Sequence, residues 1–304
     1  MTQDNDLPRL AITGHTQLVG LLGWPVEHSI SPPMHNAAFA SCGMDWCYLP
    51  FAVPPDSLAE ALRGARALGL RGLNATVPHK QALLGLVDEL TPEAQAIGAV
   101  NTLLLEESLV GHNTDAAGFM RALRETGFHP EGCRALVLGA GGAARAIGYG
   151  LANAGARITL LNRTPERAIA LAADLRAAVD GAHVDAAPLT EPEIRRLASD
   201  VDLVVNTTSV GMWPHTDATP WPEDVTFPVG ALLFDLIYNP PETRLMAQAR
   251  AQGARAENGL MMLVHQGAEA FRLWTGVEPP VDVMRTACLY ALRGDNDVAH
   301  SDGR

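Results

Sequence analysis

The sequence predicts an α/β protein of two parts, and three observations carry that expectation. Apolar runs of strand length, such as Gln17–Gly23 and Val201–Val205, alternate with longer segments whose apolar residues recur at helical spacing, the pattern of mostly parallel sheets wrapped by helices. A chain of 304 residues with 47% hydrophobic content is long enough to build a core in each of two domains. A glycine-rich turn between the apolar strand Cys133–Leu138 and the apolar helix Ala143–Asn153 starts a second strand-helix series well inside the chain.

Composition narrows what the protein can do. The net charge of −12 argues against nucleic acid or an anionic membrane as partner. No run of 18 apolar residues occurs, and the segment from Met1 to Arg9 is polar, so neither a membrane span nor a signal peptide is expected and a cytoplasmic address follows. Cys42, Cys47, Cys133 and Cys288 match no metal-binding spacing and read as buried thiols, so no metal is expected. Both ends, 1–16 and 293–304, read as frayed. The sequence leaves room for a homodimer.

Along the first half, Gln17–Gly23 reads as a buried strand feeding the loop Trp24–Ile30. Ser31 before Pro32 reads as the N-cap of a helix, so Ser29 and Ser31 would set hydroxyls beside a helix N-terminus, either as plain caps or as a carboxylate site. A second strand, Tyr48–Val53, precedes a helix from Asp56 to Leu68. Then comes Asn74-Ala75-Thr76-Val77-Pro78-His79-Lys80, which holds the single lysine among 22 Lys and Arg residues. Leu73, Ala75 and Val77 alternate with Asn74 and Thr76 as a strand with one polar face. Pro78 suits the first turn of a following helix, which would run through Leu90 and place Lys80 near its N-terminus. There the partial positive charge disfavours an ammonium, as a proton donor or acceptor working near neutrality requires; the alternative is a lysine left on a solvated face. The polar clusters Gly98–Thr102 and Gly111–Asp115 read as ligand-holding loops or as turn chemistry.

In the second half, Gly139-Ala140-Gly141-Gly142-Ala143-Ala144 is a G-x-G-x-x-A fingerprint in its strand-to-helix setting, with glycines letting backbone approach a pyrophosphate. The next strand, Arg157–Leu161, ends at Asn162-Arg163-Thr164, where a ribose-reading acid would stand. No acid is there. Arg163 and Arg167 suit a 2′-phosphate, so the cofactor should be NADP. Strands Val201–Val205 and Ala231–Asp235 run into Asn206–Met212 and Leu236–Pro240, both able to line a nicotinamide site. Asn258–Gly267 starts a long helix whose stripe is core except for Gln266.

These clusters in register, above all Ser29–Pro32 with His35-Asn36, Asn74–Lys80, Gly98–Thr102, Asn113–Asp115, Asn162–Thr164 and Gln266-Gly267, make the chain resemble the shikimate dehydrogenase family over roughly Leu18 to Leu292. Ala75 and Thr208 depart slightly from the residues usual there. The resemblance implies an N-terminal α/β substrate domain, 1–114 with 260–304, whose C-terminal helices return to it, and a Rossmann-type doubly wound nucleotide domain, 115–259. It implies NADPH-dependent, reversible reduction of 3-dehydroshikimate to shikimate in chorismate biosynthesis, with Lys80 and Asp115 as catalytic pair. Ser29, Ser31, Thr76, Asn101, Tyr238 and Gln266 would bind substrate. Gly139, Ala140, Gly141, Gly142, Ala143, Asn162, Arg163, Thr164, Arg167, Leu236 and Gly259 would touch NADP. The alternatives are a quinate/shikimate dehydrogenase of broader substrate or NAD use and a non-catalytic sensor of shikimate or nucleotide, which would not need both Lys80 and Asp115.

Overall fold

The computed structural model describes residues 12–301, with side chains described through Arg293. They form two compact units, one made of residues 12–91, 100–112 and 267–301, the other of Pro92–Ala99 and Asn113–Gln266.

The first unit begins with β1 (Gln17–Gly23), α1 (Ser31–Ser41) and β2 (Trp46–Ala52). A 3-10 turn at Pro55–Ser57 leads into α2 (Leu58–Ala67), β3 (Gly72–Ala75), a second 3-10 turn at Ala82–Gly85 and β4 (Glu89–Leu90). The helix α3 (Pro92–Ile97) lies in the second unit, and β5 (Thr102–Leu105) and β6 (Leu109–His112) return to the first. The sheet order is β2-β1-β3-β5-β6-β4. β1 pairs in parallel with β2 and β3, and β4 with β6, while β5 is antiparallel to both β3 and β6, so this sheet is mostly parallel with one reversed strand.

The second unit continues with α4 (Asp115–Glu125), β7 (Arg134–Leu138), α5 (Gly142–Asn153), β8 (Arg157–Asn162), α6 (Pro165–Ala178), β9 (His183–Pro188) and α7 (Glu191–Leu197). After a 3-10 turn at Ala198–Asp200 come β10 (Leu203–Asn206), β11 (Leu232–Asp235), α8 (Arg244–Ala251) and β12 (Arg255–Glu257). Its strands are all parallel in the order β12-β11-β10-β7-β8-β9, the doubly wound arrangement. Alternate strand residues explain the unbroken apolar runs. Ala135, Val137, Leu203, Val205 and Phe234 face a core built with Phe119, Ile147, Leu151 and Leu171. Leu136, Leu138, Val204 and Leu233 face the opposite one, built with Ile194, Trp221, Leu245 and Met246. A strand buried on both faces has no polar alternation to show.

The last two helices are α9 (Leu260–Thr275), which passes from the second unit into the first at Gly267, and α10 (Val281–Ser301). In the first unit Trp274 of α9 donates its indole N–H to the Leu103 carbonyl (3.1 Å) beneath the sheet, and Phe271 stacks on Phe39 of α1 (5.2 Å). Burying such side chains contributes roughly 1.5–3 kcal/mol each, enough to hold the C-terminal helices on this unit.

Several local expectations are corrected. Ile30, not Ser31, is the N-cap of α1, and Ser31 is already helical; the Ser29 hydroxyl accepts the Ser31 N–H instead (3.3 Å). β3 stops at Ala75, and no α-helix starts at Pro78: Val77 to Gln81 form a turn, so Lys80 does not sit in the first turn of the expected helix. The apolar spacing through Leu90 is overridden because Glu89 and Leu90 pair in parallel with β6, a tertiary gain that outweighs weak local helix preference. Residues 1–11 and 302–304 of the expected frayed ends lie outside the described residues. Within them, Thr13 and Thr16 both hydrogen-bond Asp45, and α10 continues to Ser301.

Candidate active site

In the first unit the carboxyl ends of β1, β2 and β3 meet at one edge, with Gly23 opposite Ala52 and Leu22 opposite Ala75. The loops leaving them are stitched through backbone. Trp24 donates to Val77 (3.1 Å), Thr76 to Leu22 (2.9 Å), Ala75 to Asn101 (2.8 Å) and Val100 to the Lys80 carbonyl (2.8 Å). Thr76, Lys80 and Asn101 are thereby gathered on one edge, and Ser29 and Ser31 follow β1 from the same edge. Thr76, Lys80 and Ser29 are half-buried, while Ser31 and Asn101 are buried.

Two residues that sequence reasoning passed over hold this edge. His79 is buried beneath the turn, its Nε2 2.8 Å from the Val53 carbonyl, which leaves the neighbouring Lys80 on the more open side. Asn74 accepts from the Tyr48 hydroxyl (3.0 Å) and donates to the Thr102 hydroxyl (3.0 Å), which donates to the Asn101 side-chain oxygen (3.0 Å). That chain fixes which way the Asn101 amide faces. Tyr48 is anchored in turn by Asn36, whose amide spans its backbone N–H and carbonyl (2.7 and 3.0 Å). The sequence signal was available in Asn36, within its motif, and in Asn74, on the polar face of its strand, but the partner each would find was not.

In the second unit Asp115 is buried as the first residue of α4, its N–H donated to the Asn113 side chain (3.0 Å), which is itself tied to the Ala99 carbonyl (2.8 Å). One turn on, Gly118 leaves no room for a side chain because the backbone of Gln266 packs there. Leu236 and Gly259 are likewise brought together, since a side chain at Gly259 would run into the Leu236 carbonyl. Tyr238, half-buried, follows β11 on the same excursion as Leu236.

Three family models match the chain in order. They are the shikimate dehydrogenase substrate binding domain over residues 21–103, shikimate / quinate 5-dehydrogenase over 122–212, and the shikimate 5'-dehydrogenase C-terminal domain over 259–289. The shikimate dehydrogenase (NADP(+)) of Moorella thermoacetica is 52% identical, an alignment spanning 90% of this chain and 93% of that protein. The chain belongs to the shikimate dehydrogenase family. Solved members agree in fold: a shikimate dehydrogenase in complex with NADP+ superposes with a TM-score of 0.85 at 39% identity, covering 92% of this chain and 97% of the other. The Thermus thermophilus enzyme in complex with NADP(H) and shikimate gives 0.81 at 42% identity, covering 90% and 99%.

The second unit of this shikimate dehydrogenase family member fits an NADP molecule on its own chemistry. Gly139 takes φ +114°, where a side chain would also strike the Thr207 hydroxyl, so only glycine turns the chain from β7 towards α5. Gly141 is the N-cap of α5 with no side-chain cap, and a side chain there would enter open space, leaving the first N–H groups of the helix exposed to a diphosphate. At the end of β8, Asn162 donates to the Thr164 carbonyl (2.9 Å), and Arg163 and Arg167 are both exposed with no carboxylate partner among the described residues. Two unpaired guanidiniums and no acid make a donor set for a 2′-phosphate.

Proposed function

We propose that this chain is an NADP-dependent shikimate dehydrogenase that interconverts 3-dehydroshikimate and shikimate, an oxidoreductase step on a CH–OH group serving chorismate and aromatic amino acid biosynthesis. The observation that carries this reading is the near full-length likeness to NADP-linked shikimate dehydrogenases. The bound cofactor supplies the hydride taken up at the C3 carbonyl. Lys80 gives a proton to the alkoxide oxygen that develops there, and in the reverse direction takes it back; Asp115 holds the lysine and the hydroxyl in place. Ser29, Ser31 and Tyr238 hold the substrate carboxylate, and Thr76, Asn101 and Gln266 bind the rest of the ring. Gly139 to Ala143 cradle the diphosphate, Asn162 to Arg167 the adenosine end, and Leu236 and Gly259 the nicotinamide end.

We assign substrate binding to 1–114 with 260–304 and nucleotide binding to 115–259. A cytoplasmic address accords with four unpaired cysteines; no helix among the described residues is long and apolar enough to cross a membrane. Assembly as a homodimer belongs to the same proposal and is checked by sedimentation. The deciding assay follows reduced nicotinamide with shikimate or quinate, each with NADP and with NAD. Turnover is expected with shikimate and NADP. Efficient quinate or NAD turnover would move the assignment to the broader quinate/shikimate enzymes, and no turnover with any pair would make the chain a binding protein.

A further inference from the structure

We propose that Asp235 is a positioning residue for this reaction, closing the base of the loop that presents Leu236 and Tyr238 and holding it against the end of β10. The inference rests on the shikimate dehydrogenase reading above.

Asp235 is the last residue of β11 and is fully buried. One carboxylate oxygen accepts from the Asn206 side-chain amide (2.9 Å) and the Ile237 N–H (3.1 Å); the other accepts from the Thr243 hydroxyl (2.7 Å). The chain between Asp235 and Thr243 makes an excursion that carries Leu236 and Tyr238, and this last bond shuts it at the base. The bond to Asn206 ties it sideways, since Asn206 ends β10 and its own side-chain oxygen accepts from the Thr208 N–H (3.1 Å) and hydroxyl (2.7 Å). Thr207 extends the link to the fingerprint strand by donating its hydroxyl to the Leu138 carbonyl (2.7 Å). The carboxyl ends of β7, β10 and β11 are thus fastened through one buried polar network.

The chemistry of the group argues that position, not bulk stability, is what it supplies. All three neighbours donate, and a carboxylate is the side chain that only accepts. Burial raises the Asp235 carboxyl above its usual range while the three hydrogen bonds pull it back. A site that needed only packing would be served as well by an apolar side chain, whereas a buried acceptor fully paired with donors from three segments specifies which groups meet. Thr243 adds to this, because its hydroxyl also caps α8 by accepting the Met246 N–H (3.2 Å), so the far end of the loop starts from a fixed helix.

Asp235→Asn keeps the shape but removes the charge and turns an amide donor towards the Thr243 hydroxyl, which already accepts the Met246 N–H and must give up its own donation to accept a second bond. In enzyme assayed well below its unfolding temperature, kcat/KM for shikimate should fall by about tenfold or more with a raised shikimate KM. Adenosine 2′,5′-bisphosphate should bind within about twofold of the parental affinity, because Arg163 follows β8 and Arg167 lies on α6, outside the network. Thr243→Val should act in the same direction and Thr243→Ser should restore parental kinetics; if Asp235→Asn does not fold, this pair carries the test. Folded variants with parental kcat and shikimate KM but a lower unfolding temperature would make Asp235 a stability residue and overturn the proposal, as would an equal loss of bisphosphate binding. Parental chain that does not turn over shikimate at all would bring down the functional reading, and this inference with it.

Discussion

Lys80 is the residue where chemistry and local structure have to be separated. Its singularity in the sequence points to a job arginine cannot do, and the turn that carries it, rather than the first turn of an α-helix, is what the fold supplies. Lys80→Arg keeps the charge and most of the stem, so a surface role would tolerate it within about 0.5 kcal/mol of stability. A proton donor would not: guanidinium keeps its proton at any working pH, and kcat should drop by roughly 10²–10⁴ with folding and NADP affinity intact. A parental rate in Lys80→Arg would end the mechanism. Arg163 makes the second residue-scale prediction. A charge-assisted contact to phosphate contributes on the order of 1.5–3 kcal/mol, so Arg163→Ala should weaken NADP by roughly tenfold to more than a hundredfold and NAD far less. Equal losses for the two nucleotides, read by fluorescence titration, would remove the 2′-phosphate assignment.

At the scale of the element, the start of α1 is the informative case. The serine-proline pair reads as an N-cap, yet the helix begins one residue earlier and Ser29, outside it, receives the Ser31 N–H. The sequence could not choose, because either hydroxyl can satisfy an orphan N–H and the choice depends on the direction in which the chain leaves β1. Ser29→Ala should therefore cost a little stability, on the order of 0.5–1 kcal/mol, and raise the KM for shikimate while leaving that for NADP nearly unchanged. Should only the nucleotide parameter move, the two hydroxyls are caps and the carboxylate is held elsewhere. The turn between β7 and α5 is the opposite case. There the glycine pattern was sufficient, because the requirement it meets, backbone at positive φ followed by uncapped N–H groups, is wholly local.

At the scale of the whole molecule, acid should unfold this protein partly through His35. The ring is fully buried, stacked on Tyr48 (4.5 Å) and beside Trp274 (5.4 Å), with neither nitrogen hydrogen-bonded among the described residues, and burial lowers its pKa to about 3. The unfolded chain protonates this histidine below about pH 6.5 while the folded chain does not. Because the unfolded state then binds more protons, stability rises with pH between those two values and is lost as pH falls, by about 1.4 kcal/mol per unit where the difference is one full proton. His35→Phe should flatten that part of the acid slope, measured as unfolding free energy from pH 6.5 to 4. An unchanged slope would assign the proton uptake to other groups.

What the sequence by itself determined was whatever depends on residue type and near neighbours. This covers the two α/β parts from apolar periodicity, the strand-to-helix turn from its glycines, the expectation of NADP from two arginines where an acid would otherwise stand, and the family from motifs in register. What only the tertiary structure decided was pairing at a distance. The antiparallel β5 made the first sheet mixed, and the pairing of Glu89 and Leu90 with β6 cancelled the helix expected after Pro78. Asn74 and His79 became structural hubs through partners 26 to 28 and 26 residues away in the chain, and Asp235 through Thr243 and Asn206, 8 and 29 residues away, besides its near neighbour Ile237. The physical reason is the same in each: a buried polar group or a strand edge must find its partner wherever the fold brings one, and that position is a property of the packed chain rather than of the residue.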